Sequence, residues 1–195
     1  MSLFQILMIA MSAFFSFKVY QHIQTLEDEK PENDDKSQNG FSPFDPQTLA
    51  LKADEAFEKG DLKKAFALLD EANVKDPNNA EILGKLGYIS AKEERNNEAI
   101  SYYQEALHSE GNNDIFHNAL ASLYRKSGEF SKAEEHFKEA LQIDAAYDVT
   151  YYNYANLLVD MQRFTEAFVM YEKALEINPE LSEAKTEMDK IKDKI

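Results

Sequence analysis

GEFSKAEEHFKEAL, residues 128–141, decides the fold once its copies are set beside it: GDLKKAFALLDEAN at 60–73, ERNNEAISYYQEAL at 94–107 and QRFTEAFVMYEKAL at 162–175. The copies are evenly spaced. They bring Ala65, Ala99, Ala133 and Ala167 into one register, and Ala72, Ala106, Ala140 and Ala174 into a second one two helical turns further on. Between the two lies a large apolar residue each time: Leu69, Tyr103, Phe137 and Tyr171. At that separation each alanine pair shares one helix face. Small side chains there admit a neighbouring helix closely, and the large residue between them fills the space beside the contact. A period this strict marks stacked copies of one supersecondary unit, since no copy buries its apolar face alone.

Working outward, four repeats of equal length run over 46–79, 80–113, 114–147 and 148–181. Each splits into two helical runs. The first helices are predicted to start near Gln47, Ala80, Asp114 and Asp148. Breaks are expected at Lys59-Gly60-Asp61, Arg95-Asn96, Ser127-Gly128 and Gln162-Arg163, where the glycines supply a left-handed conformation. Asp45 reads as a helix N-cap with Pro46 in the first position and Phe44 and Leu49 as a hydrophobic staple. The closing stretch, 182–195, carries Ala184, Met188, Ile191 and Ile195 at helical spacing and reads as a capping helix.

These positions resemble the tetratricopeptide repeat family. Its pattern has a large residue at position 4, Leu at 7, Gly or Ala at 8, a large residue at 11, Ala at 20 and 27, an aromatic or Leu at 24, and Pro at 32. The second repeat offers Leu83, Leu86, Gly87, Ala99, Tyr103 and Ala106; the third Leu120, Ala121, Tyr124, Ala133, Phe137 and Ala140. The fourth offers Tyr151, Tyr154, Ala155, Leu158, Ala167, Tyr171, Ala174 and Pro179. The first is less typical at its start, with Leu49, Ala53 and Ala56, and regains the pattern at Ala65, Leu69, Ala72 and Pro77. Departures are local: Gly111 and Ala145 replace the inter-repeat proline, Ser90 the large residue at position 11, and Asn96 the usual aromatic. The resemblance implies an all-α fold, a right-handed α-solenoid of four repeats closed by the capping helix.

The chain before Pro46 has a different character. Residues 3–20, LFQILMIAMSAFFSFKVY, carry one charge, Lys18, and would make a helix about 27 Å long. We expect a single membrane-spanning anchor over 1–20, contacting the lipid bilayer through residues 3–20, with Lys18 snorkelling and Tyr20 at the interface. A cleaved signal peptide lacks its basic n-region and small-residue cleavage site here, and a helix lying on the bilayer lacks a polar face. Lys18 after the segment, with no Lys or Arg before it, places the repeat domain on the cytoplasmic side. Residues 21–45 are acidic and polar, with no apolar period, and are expected to form a flexible linker.

Charge and residue types exclude several functions. A net charge of −15 would repel a phosphate backbone, so nucleic acid is not an expected partner. With no cysteine there is no disulfide or thiolate metal site. His22, His108, His117 and His136 show no zinc spacing; His117 falls on a packing position, and His136 sits beside Glu134 and Glu135 on a helix. There is no phosphate loop or nucleophile motif, so we expect no enzyme activity, no metal and no cofactor.

The resemblance further implies a concave groove lined by positions 2, 5, 9, 12 and 13 of each first helix. On this chain these include Glu81, Tyr88 and Lys92 in the second repeat, and Ile115, Asn118, Ser122, Arg125 and Lys126 in the third. The fourth adds Val149, Tyr152, Asn156 and Asp160. Asn118, Tyr152 and Asn156 could hydrogen-bond a peptide backbone or a partner helix, and Arg125 and Lys126 could meet a carboxylate. The clamp by which some family members grip an acidic chaperone C-terminus begins with Lys and Asn; here those places hold Ala50 and Asp54, so no such affinity is expected. The expected function is a membrane-tethered scaffold recruiting a protein or peptide, and resemblance to anchored bacterial proteins suggests cell-envelope assembly. The alternative is a self-associating homo-oligomer, an array in which a neighbour's Phe41–Phe44 fills the groove.

Overall fold

Caps and turns fix where each helix of this chain begins. The computed structural model describes residues 44–195, so the expected anchor and the linker up to residue 43 lie outside the described residues. Asp45 accepts hydrogen bonds from the backbone N–H groups of Gln47 and Thr48, both at 3.0 Å. It opens α1, Pro46–Glu58, with proline in the first position. Phe44 is 63% exposed, with the Lys75 ammonium 6.0 Å from its ring centroid. Asp61 caps α2, Leu62–Lys75; Asn79 caps α3, Ala80–Lys92; Asn113 caps α5, Asp114–Lys126. The remaining helices are α4, Asn96–Ser109; α6, Phe130–Ile143; α7, Asp148–Asp160; α8, Phe164–Ile177; and α9, Ser182–Ile191. The described residues contain no strand.

Each turn inside a repeat passes through one left-handed residue, and these keep the period of the repeats: Gly60 (φ +77°), Glu94 (φ +61°), Gly128 (φ +79°) and Gln162 (φ +60°). Glycine adopts that conformation without a Cβ penalty; Glu94 and Gln162 do not. In the second repeat the break therefore falls at Glu93–Arg95, slightly ahead of the expected Arg95-Asn96.

The helices pack as antiparallel pairs, α1 with α2, α3 with α4, α5 with α6 and α7 with α8, and each second helix meets the next first helix. All eight register alanines are fully buried, and the residues between them, Leu69, Tyr103, Phe137 and Tyr171, are at most 5% exposed. The period read from the sequence is thus the packing seam itself. Helix α9 lays Ala184 and Ile191 against α8 and closes the stack; the chain then tightens into a 3₁₀ turn at Lys192–Lys194, leaving Ile195 exposed. Among the described residues, no helix is long and apolar enough to cross a membrane.

Candidate functional site

The first helices α1, α3, α5 and α7 share one face of the stack, and its two halves differ in character. In the half made by the third and fourth repeats, side chains bridge neighbouring first helices. Arg125 Nε on α5 donates to Asp160 Oδ2 on α7 at 2.6 Å, and Asn153 Nδ2 on α7 donates to Asn118 Oδ1 on α5 at 3.3 Å. Asn156 Oδ1 accepts from the Tyr171 hydroxyl at 2.6 Å. Burial pushes that phenol up, so it stays a donor. Tyr152 is half-buried with its ring 6.0 Å from that of Tyr171, and Ser122 Oγ donates to its own helix at Asn118 O. Lys126 is exposed and 3.9 Å from Glu94. Asn118, Ser122, Arg125, Lys126, Tyr152 and Asn156 of the expected groove residues sit in this half, and the polar groups of Asn118, Ser122, Arg125 and Asn156 already have intramolecular partners.

The half made by the first three repeats opens instead. A cavity of about 570 Å³ lies among α1, α3 and α5. Binding pockets span roughly 300–1,000 Å³, so this one is of ligand-holding size. Ala53 and Phe57 come from α1, Tyr88 and Ile89 from α3, and Ile115 and Phe116 from α5, over a floor of Leu69 and Tyr103. Burial pushes the Tyr103 phenol up, so the floor carries no charge. The Phe57 and Tyr88 rings stand 5.6 Å apart. Lys92 places its ammonium 5.4 Å from the centroid of the Tyr88 ring, where the ring's negative face attracts it. Tyr88 is 46% exposed and Ile115 59% exposed, so two large apolar side chains face solvent at the mouth. Among the residues expected in the groove, Glu81, Tyr88 and Ile115 line this cavity and Lys92 adjoins it.

One inward position of the second repeat carries no side chain. Gly84 occupies position 5 of the second repeat, an inward position, and the Phe116 ring lies over it. A Cβ on Gly84 would stand 2.5 Å from Phe116 Cε1. Sequence reasoning missed both Phe57 and Phe116. For Phe57 a signal existed, because it holds position 12 of the first repeat, one of the inward positions. Phe116, at position 3, gave none, since it joins the face only by crossing the space above a glycine.

The rim is charged. Asp54, Glu81, Lys85 and Glu110 line the cavity. Lys85 Nζ bridges Asp54 Oδ2 at 2.8 Å and Glu81 Oε1 at 2.9 Å. Burial works against its charge, but the two carboxylates outweigh that and hold its ammonium above the ordinary lysine value. Asp54 is the residue that stands where the chaperone clamp would need asparagine. Its carboxylate and that of Glu81 share one cation, and Glu110 has no cation within ion-pair distance among the described residues.

Between the two helices of the third repeat, His117 Nδ1 lies 3.0 Å from His136 Nδ1, and the His136 ring stacks on Tyr124. Sequence spacing separates these two histidines; the α5–α6 packing joins them. Among the described residues there is no cluster of three or more metal-ligating side chains.

Comparison with known proteins agrees with this architecture. A sequence family described as Tetratricopeptide repeat matches residues 56–123 and 124–188. No curated protein matches the sequence. Among solved structures, the crystal structure of MamA protein superposes with a TM-score of 0.67 at 23% identity, covering 73% of this chain and 78% of that one. The pilF protein of Pseudomonas aeruginosa gives 0.69 at 21% identity, over 76% of this chain and 68% of that one. YrrB, described as a TPR protein with an unusual peptide-binding site, gives 0.63 at 18% identity, over 73% and 74%. At these identities the likeness concerns the fold.

Proposed function

The chain belongs to the tetratricopeptide repeat family, and from that premise we propose that it is a membrane-anchored adaptor whose first-helix face binds a protein or peptide partner. The observation that carries this reading is the open apolar cavity between α1, α3 and α5, with Tyr88 and Ile115 exposed at its mouth. Exposed aromatic and aliphatic side chains around an apolar hollow are what a partner's anchor residue needs. The likeness to YrrB adds a precedent for peptide binding on this fold.

In this reading the working surface is the half formed by the first three repeats. Tyr152, Asn156, Asn118, Ser122, Arg125 and Lys126 extend the contact along the face; to serve a partner, Arg125 must exchange Asp160 for a carboxylate of the partner. The apolar stretch at 3–20 holds the scaffold at a bilayer. The acidic stretch after it gives a reach of roughly 25–30 Å. Anchoring raises the effective concentration of the groove for membrane-bound partners, so modest affinity suffices.

The test is in-cell photocrosslinking of the full chain with a photoreactive residue at Tyr88, Tyr152 or Val169, the last exposed on α8. Protein adducts from Tyr88 or Tyr152 but not Val169 are expected. Adducts from Val169 alone, or none from either groove position, refute the groove as the working surface. Removal of residues 2–20 is expected to shift the chain from the membrane pellet to the soluble fraction; an unchanged distribution refutes the anchor.

A further inference from the structure

We propose that the cavity between α1, α3 and α5 selects a partner segment that inserts a large apolar side chain and carries Lys or Arg beside it. This rests on the groove reading above and adds the chemistry of the occupant. The inner surface is apolar: Ala53, Phe57, Gly84, Tyr88, Ile115 and Phe116 line it. An aromatic or branched aliphatic side chain entering there gains contact with three rings and removes Tyr88 and Ile115 from water.

The rim decides what flanks that side chain. Three carboxylates line the cavity, Asp54, Glu81 and Glu110, against one ammonium, Lys85. Lys85 is already held by Asp54 and Glu81 at 2.8 and 2.9 Å, and Lys92 is drawn over the Tyr88 ring. Glu110 is exposed at the mouth beside Ile115. The lining charge is therefore −2, counting Asp54, Glu81 and Glu110 as −3 and Lys85 as +1. A basic flank finds partners in this ring of carboxylates, while an acidic flank would meet like charge beside a low-dielectric wall. The family's acidic-tail clamp would need the opposite sign here.

The experiment uses the full chain in detergent micelles and fluorescence anisotropy of four synthetic peptides. Three share a central Leu-Phe pair and differ only in flanks of Lys, Gln or Glu; the fourth keeps Lys flanks with Ser in place of Leu-Phe. The Lys-flanked peptide should bind ~10-fold tighter than the Glu-flanked one, with the preference shrinking at high salt. E81Q/E110Q should cut that preference to ~2–3-fold. E172Q/E176Q removes the same charge from exposed positions on α8 and should leave the preference intact. Ile115→Ser, at a solvent-exposed site that leaves the fold alone, should weaken all Leu-Phe peptides. The proposal is overturned if the Lys-flanked peptide does not bind, if Lys and Glu flanks bind equally, if E172Q/E176Q acts as strongly as E81Q/E110Q, or if the Ser peptide binds as well as Leu-Phe. Crosslinking at Tyr88 together with any of those results would keep the groove as the working surface and refute only the chemistry assigned to its occupant.

Discussion

Arg163, at the start of α8, donates from Nη1 to Oε2 of Glu134 on α6 at 2.8 Å, tying the fourth repeat to the third. The Tyr154 hydroxyl donates to the other oxygen at 2.9 Å and Lys138 adds an ion pair, so a carboxylate only 15% exposed is fully engaged. Burial alone would raise the Glu134 carboxyl; the Lys138, Arg163 and Tyr154 hydrogen bonds outweigh it and hold it at about 2. Glu134→Gln is expected to cost about 1–2 kcal/mol near neutral pH, measured by urea unfolding. Because the folded value lies below the ordinary 4.5, the contribution is complete above 4.5 and is lost as pH falls from there toward 2. The stability gap between wild type and variant should therefore narrow in acid, and a gap independent of pH would refute the account.

Gln162 and Glu94 occupy the left-handed position that Gly60 and Gly128 fill in the other repeats. A side chain there costs energy that glycine avoids, by roughly 1 kcal/mol after the entropy of the more flexible unfolded chain is counted. Gln162→Gly should raise the midpoint of thermal unfolding by ~2–4 °C. Gly60→Ala should lower it by a similar amount. Equal midpoints for Gln162→Gly and wild type would mean that the strain is relieved elsewhere in the turn.

Gly84 and Gly87 lie one turn apart on α3, and they should respond differently to alanine. At Gly87 the nearest atoms of the Tyr103 ring are 3.1 Å from the added Cβ, a contact that a small shift of the ring relieves. At Gly84 the Phe116 ring lies at 2.5 Å and must swing into the cavity. Alanine gains ~1 kcal/mol of helix propensity at either site. Overpacking costs about 1–3 kcal/mol, so Gly84→Ala should be the less stable of the two and should also narrow the cavity. The reverse order by calorimetry would place the flexibility in Phe116 rather than Tyr103.

How much of this was legible before the structure depended on what each residue does. The alanine pairs and the residues between them repeat because packing dictates them, so their period disclosed the fold, and the first helices start within one residue of the expected Gln47, Ala80, Asp114 and Asp148. The left-handed turn was legible at Gly60 and Gly128 but not at Glu94 or Gln162, whose side chains give no such signal. The family pattern placed Tyr88 on the right face. It could not locate the cavity, because nothing in the pattern shows that the Phe116 ring lies over Gly84 beside it. Nor could it show that Arg125 and Asn156 are engaged by Asp160 and Tyr171, since those partners come from another helix.

His117 and His136 give the last test. With Nδ1 atoms 3.0 Å apart, one imidazole donates and the other accepts, which requires that at least one be neutral. Burial lowers both below the ordinary 6.5; for His136 the neighbouring His117 lowers it further, against Glu135 and Glu139, and for His117 Glu139 and Asp114 oppose. Near 6.5 the native state thus binds fewer protons than the unfolded chain. The pair's contribution is complete above 6.5 and is lost as pH falls through it to the lowered native values. The double substitution His117→Gln, His136→Gln should therefore flatten the dependence of unfolding free energy on pH just below 6.5, while the carboxylate-driven loss at lower pH remains. Superimposable profiles would mean that the native pair takes up protons over the same pH range as the unfolded chain.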